Sequence, residues 1–287
     1  MKLQSVYQPV ILDSEIAELR LLFESRYGIL IDKPTEAIAD KLAEHMVGSD
    51  LRSTSDLLAR LRQRPSESAT LLDFLLPCET SFFRVPSAFA ALEKRIIPEL
   101  RTSKRTENPR VLRIWSAGCA TGQEAYSIAM SVCEALNDDT GGWNVHIVAN
   151  DIRRDALALG ERGLYSRSDI KSVPARFLSK YFSRIGDHFM VKPRIRNLVT
   201  FTTTNLANPD FLGRFEVIFC VGVLPHFSAA RRTALVERLH LYLQPGGFLF
   251  LGQNEKLPRS AVTFTSEENL ACSCYRRPAA MSANAGQ

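Results

Sequence analysis

No stretch of this sequence approaches the ~18 consecutive apolar residues of a membrane helix. The opening MKLQSVYQPV lacks the apolar core of a secretory signal, so the expectation is a cytoplasmic protein without membrane insertion. Cysteine is sparse. The six (78, 119, 133, 220, 272, 274) include no CxxC pair and no histidine at metal spacing, which argues against structural zinc and for reduced thiols. Cys272 and Cys274 would share one face of a strand, where a bond between near neighbours is strained. Gly-Lys-Ser/Thr is absent and G-x-G-x-x-G is not met, so neither a phosphate-binding loop nor a dinucleotide fingerprint is present. With 15 Gly and 14 Pro in 287 residues, collagen-like and low-complexity readings are excluded.

What is present suits a globular chain of one large domain or two, with 45% hydrophobic residues to build a core. The net charge of +5 is unevenly spread. Residues 1–88 carry 10 Lys+Arg against 13 Asp+Glu, and residues 89–287 carry 26 against 18. That basic bias suits an anionic partner but falls short of a nucleic-acid footprint, and no nucleic-acid partner is expected.

Residues 1–88 read as a helical domain. Ile16, Leu19, Leu22 and Phe23 lie at helical spacing over 14–26, with Asp13 and Ser14 as capping candidates. Thr35 can cap 36–47, which Gly48 ends, and Ser55 can cap the helix that stops before Pro65. Ser66 or Ser68 opens an apolar run that stops at Pro77. A helix over 87–100 and a polar linker, RTSKRTENPR, then lead into alternating strand-like and helical segments. Strands are expected at 111–116, 145–151, 198–204, 216–221 and 248–252, with helices at 122–136, 153–162, 171–182 and 228–243. This order predicts an α/β fold, a Rossmann-like, mostly parallel sheet with helices on both faces. Segments 248–252 and 270–276 would close it as an antiparallel hairpin. The stretch 183–200 reads as a small β appendage within an 89–277 domain, and 278–287 as a disordered tail.

The strongest site signal is VLRIWSAGCATGQEAYSIA (111–129), a strand entering a glycine turn and then a helix. Gly118 and Gly122 let a ligand approach the backbone, and the helix start offers N–H groups. Glu124 would repel pyrophosphate and favours a positively charged ligand, such as the amino-acid end of S-adenosylmethionine. Asp151, ending the second strand, can accept hydrogen bonds from both ribose hydroxyls; its alternative is a cap for 153–162. Asn205, after FTTT, can bond an adenine edge, or be a turn residue. Three polar residues at three strand ends together favour a nucleoside cofactor.

Four segments carry a closer likeness: Cys78–Arg84 (CETSFFR), Trp115–Ser127 (WSAGCATGQEAYS), Asn150–Ile152 and Ile218–Cys220. In order and spacing, over roughly residues 10–276, the chain resembles the CheR-type chemotaxis receptor methyltransferases. The resemblance implies transfer of a methyl group from S-adenosylmethionine to glutamate side chains on the cytoplasmic helices of a chemoreceptor-type protein, leaving S-adenosylhomocysteine. It implies cofactor contacts at Cys78, Thr80, Arg84, Glu124, Asp151, Asn205, Leu206, Val221 and Gly222, with Gly118 in the turn.

The sequence departs from the family pattern at Cys78 (usually Asn), Val221-Gly222 (Arg-Asn) and Pro225-His226 (Ile, then Tyr). The 221–226 segment borders the reacting methyl in the family. These departures define two alternatives, a regulatory module that binds the cofactor without transfer and a methyltransferase with another acceptor. The appendage looks shorter than in members that dock a receptor pentapeptide, which argues against tethered docking.

In chemical terms, Arg84 can orient the acceptor carboxylate through charge-assisted hydrogen bonds, or form a surface ion pair. His226 can donate a hydrogen bond near the acceptor, or pack and cap. Phe82 and Phe83 can wall the site or fill the core. Arg60, Arg62 and Arg64 form a basic edge that can face a glutamate-rich receptor helix or water.

Overall fold

The computed structural model describes residues 9–76, 80–104, 106–107, 110–137, 142–208, 213–260, 262–268 and 270–279; the expected tail from 280 onward and Cys78 lie outside them. Among the described residues no helix is long and apolar enough to cross a membrane. The chain forms two compact units, one of residues up to 78 with 226–228, the other of 79–225 with the remainder.

The first unit contains α1 (Asp13–Tyr27), α2 (Thr35–Gly48), α3 (Thr54–Gln63) and α4 (Pro65–Leu75). Each turns one apolar stripe inward: Ile16, Leu19 and Phe23; Ile38, Leu42 and Met46; Leu57, Leu58 and Leu61; Leu71, Leu72 and Leu75. The caps differ from expectation. Ser53, extended at φ −145° and ψ 158°, accepts the Asp56 N–H at 3.1 Å, while Ser55 is already helical. Asp13 and Thr35 are likewise first helical residues, following Leu12 and Pro34, whose side chains cap nothing. Ser68 is buried inside α4, where its hydroxyl accepts from Arg26, instead of opening the helix. The arginine edge is neutralised within the unit. Arg60 and Arg64 pair with Glu67, and Arg62 pairs with Glu18.

The second unit opens with α5 (Pro86–Ala91), a π segment (Leu92–Ile96) and α6 (Ile97–Ser103). A single helix was expected over 87–100. Pro98 explains the widened turn: its ring would collide with the carbonyl four residues back, and Ile97 N–H bonds to Leu92, five residues back. The linker shrinks accordingly, since Arg101–Ser103 are helical and Arg110 begins a strand.

The main sheet is built from β1 (Arg110–Ala117), β2 (Trp143–Asp151), β6 (Val199–Thr203), β7 (Phe215–Cys220), β8 (Leu243–Leu251), β9 (Thr265–Ser266) and β10 (Cys274–Arg276). Its order is β6-β2-β1-β7-β8-β10-β9, parallel from β6 to β8 and antiparallel beyond. Continuous burial along β7 is the mark of a strand covered on both faces. Helices α7 (Gln123–Ala135), α8 (Arg154–Arg162) and α11 (Ala229–Tyr242) connect the parallel strands. The chain steps from β1 to β2 and β6 on one side, then returns to β7 on the other. Such a reversal opens a crevice at the carboxyl ends of β1 and its neighbours.

A second sheet of β3 (Leu164–Ser166), β4 (Phe182–Ile185) and β5 (His188–Val191) has the order β3-β5-β4, so the appendage draws a strand from before residue 183. Helix α9 (Ala175–Tyr181) starts only after Pro174, later than the expected 171, and α10 (Pro193–Arg196) follows β5.

Phe82 and Phe83 belong to the core of this unit. Phe82 meets the edges of Tyr165 and Phe182 at 4.9 and 5.4 Å, and Phe83 meets Phe89 and Phe177, both at 5.1 Å. The stack continues from Phe89 to Phe219 and Phe250 in the sheet.

Candidate functional site

The turn between β1 and α7 is tied down by β2. Gly118 and Cys119 N–H both donate to Asn150 O, at 2.9 and 2.8 Å, and Ala120 N–H donates to Asp151 Oδ2 at 2.8 Å. Gly122 N–H goes back to Cys119 O. These four turn donors serve the fold. Gly118 has φ +79°, and a Cβ there would lie 2.6 Å from Val223 Cγ2. Only glycine lets the turn after β7 approach this closely. Leu206 Cδ1 would lie 3.9 Å from the same Cβ, so the ends of β1, β6 and β7 meet at Gly118.

Asn150 carries the other side of the frame. Its Oδ1 accepts Trp115 Nε1–H at 2.6 Å and its Nδ2 donates to Thr204 O at 3.2 Å. Asp151, 7% exposed, accepts from Ala120 N–H, Arg153 N–H and Arg153 Nε–H. A carboxylate offers about four acceptor sites, and at least three of these are taken by the turn and by Arg153. The capping alternative also has support, because Arg153 is the residue before α8. Asn205 Oδ1 accepts Ala207 N–H at 2.9 Å, the bond of a turn-forming asparagine.

Glu124, in the first turn of α7, is half-buried and receives the Ser116 hydroxyl at 2.7 Å. Burial pushes its carboxyl up to about 7, opposed by Ser116 and the Arg84 charge and assisted by Glu255. Arg84 is exposed, and its Nη1 lies 3.2 Å from where a Cβ of Gly222 would stand. It follows directly on Phe83, whose N–H donates to Ser127 Oγ in α7 at 3.0 Å, so α7 anchors both charges. Val221 and Gly222 are half-buried, and the Gly222 N–H is taken by Glu255 at 3.0 Å. Sequence reasoning missed Glu255. The available signal was an acidic residue just past the β8 strand, at the same sheet edge as Asp151. Burial raises the thiols of Cys119 and Cys220, which are not poised as nucleophiles.

The structure thus gathers Gly118, Glu124, Asp151, Leu206, Gly222 and Arg84 around one end of the parallel sheet. Thr80 is half-buried in the segment leading to Arg84. His226 packs as part of the first unit, where its carbonyl accepts Leu30 N–H at 2.7 Å beside the Ile29–Phe227 bridge.

Residues 78–271 match the model of the CheR methyltransferase, SAM binding domain. The chain belongs to the CheR methyltransferase family. It is 33% identical over 245 residues to chemotaxis protein methyltransferase 1 of Pseudomonas aeruginosa, covering 83% of this chain and 88% of that one. It is 30% identical over 276 residues to chemotaxis protein methyltransferase 2 of Vibrio cholerae, covering 94% of each. As a CheR family member it is an S-adenosylmethionine-dependent methyltransferase. The site fits that cofactor chemically: burial pushes the Glu124 carboxyl up, and a ligand ammonium would return it to its ionised form.

Proposed function

We propose that this CheR family member methylates glutamate side chains on the helical cytoplasmic region of a chemoreceptor-type protein. The Glu124 carboxyl held by Ser116 at the carboxyl end of β1, with the exposed Arg84 against Gly222 after β7, carries the reading. When bound, S-adenosylmethionine supplies a methyl group on a sulfonium, a good leaving group.

Glu124 would hold the ammonium of the cofactor, and Asp151 would offer its remaining acceptor site to a ribose hydroxyl. Leu206 and Gly118 would line the nucleoside side. The acceptor glutamate, with an ordinary pKa of about 4.3, is ionised at neutral pH and is the nucleophile without a general base. The protein's task is alignment. Arg84, exposed at the edge of the site, would orient the incoming carboxylate by charge-assisted hydrogen bonds. Orientation of this kind can supply roughly 7–11 kcal/mol of a barrier.

The reading is tested by incubating the protein and S-adenosylmethionine with a chemoreceptor cytoplasmic fragment and mapping modified peptides by mass spectrometry. Glutamate-bearing peptides gaining the mass of one methylene support it. Cofactor binding without modification favours a non-catalytic module, and modification of small acceptors alone favours a different substrate.

A further inference from the structure

Two turns at the carboxyl edge of the sheet share one carboxylate. Glu255 Oε2 accepts Gly222 N–H at 3.0 Å and also Gly252 N–H, while Oε1 accepts Leu224 N–H at 3.1 Å. The Leu224 carbonyl in turn accepts Arg232 Nε–H of α11 at 3.1 Å. The turn after β7 is therefore held through both polar groups of Leu224 and through Gly222.

An ionised carboxylate can accept on both oxygens at once. A glutamine would turn its NH2 group toward at least one of these N–H donors. The arrangement also carries an electrostatic cost, because Glu255 opposes ionisation of Glu124.

What the tie fixes is Gly222. Its φ is +75°, and its bare Cα faces Arg84, whose Nη1 would be 3.2 Å from a Cβ. Setting the Gly222 peptide plane therefore sets the surface against which the Arg84 guanidinium rests. We propose that Glu255 is a positioning residue for methyl transfer: by clamping Gly222 and Leu224 it seats Arg84 to receive the acceptor carboxylate. This rests on the role given to Arg84 above.

The test compares wild type with Glu255→Gln in the full chain, by amide hydrogen exchange, S-adenosylhomocysteine calorimetry and steady-state methyl transfer. Exchange at Gly222 and Leu224 is expected to rise by about tenfold or more in the variant. A misplaced orienting group should lower kcat by roughly 100-fold while the KM for the receptor fragment and the S-adenosylhomocysteine Kd move less than about threefold.

Unchanged exchange at Gly222, or an unchanged kcat, overturns the proposal. So does a loss of cofactor binding equal to the loss of rate, since that marks a structural role. Should Glu255→Gln fail to fold, Arg232→Met releases the opposite side of the same turn. It is expected to lower kcat by about tenfold at constant KM, and an unchanged kcat overturns the proposal. Failure of the wild type to modify the receptor fragment contradicts the acceptor assignment alone, whereas Gly222 exchange reads the clamp whatever the acceptor.

Discussion

The Ser116 hydroxyl at the end of β1 donates to Glu124 Oε1, 2.7 Å away in the first turn of α7. Strand end and helix start thus converge on one carboxylate, whose ionisation is opposed by burial and by Glu255 and favoured by Ser116 and Arg84.

Ligand affinity should follow Glu124. The folded protein holds its carboxyl at about 7 against the ordinary 4.5, so Glu124 contributes stability that is present below pH 4.5 and lost as pH rises through 7. A ligand ammonium binds the ionised form, so S-adenosylhomocysteine should bind about tenfold more weakly at pH 6 than at pH 8, with proton release at the lower pH. Calorimetry in buffers of different ionisation heat measures both. Glu124→Gln should bind weakly, with affinity nearly independent of pH.

Asp151→Ala removes the acceptor for Ala120 N–H and leaves the buried Arg153 guanidinium without its carboxylate. Breaking a buried pair in this way should destabilise the protein by about 3–5 kcal/mol. Urea unfolding measures the loss, and Asp151→Asn, which keeps one carbonyl oxygen, should lose less.

Gly118→Ala places a Cβ against Val223 and forces a side chain into a left-handed backbone, which costs roughly 1–2 kcal/mol even without the contact. Val223→Ala in the same chain should recover the contact part but not the backbone part. A double-mutant cycle on thermal stability separates the two.

Asn150→Ala strands the Trp115 indole N–H and the Thr204 carbonyl, both satisfied by that one side chain. The expected cost is about 1–3 kcal/mol in chemical unfolding.

The mostly parallel sheet was readable because β1, β2 and β7 are apolar runs bounded by polar turns and alternate with helical segments, with Gly118 and Asp151 at strand ends and Glu124 opening α7. Caps were less readable: Ser53, Thr54 and Ser55 are chemically alike, and the extended backbone at Ser53 decides among them. Strand β3 is only three residues long and exists through pairing with β5, which no local pattern announces. Glu255 was hidden because its acceptor role is met by backbone N–H groups 31 and 33 residues away, and backbone donors leave no trace in a sequence. Arg60, Arg62 and Arg64 left open a receptor-facing or solvent-facing edge, because Arg64 meets Glu67 locally but Arg62 meets Glu18 only when α1 and α3 pack.

The central claim, methyl transfer to a glutamate carboxylate with Arg84 as the orienting group, is tested most directly with radiolabelled S-adenosylmethionine and a receptor cytoplasmic fragment. The account predicts incorporation released as volatile methanol by base, the signature of a carboxyl methyl ester. It also predicts that Arg84→Ala lowers the rate by roughly 100-fold, the scale of a misoriented reactant. Base-stable label, or an Arg84→Ala rate equal to wild type, would contradict it.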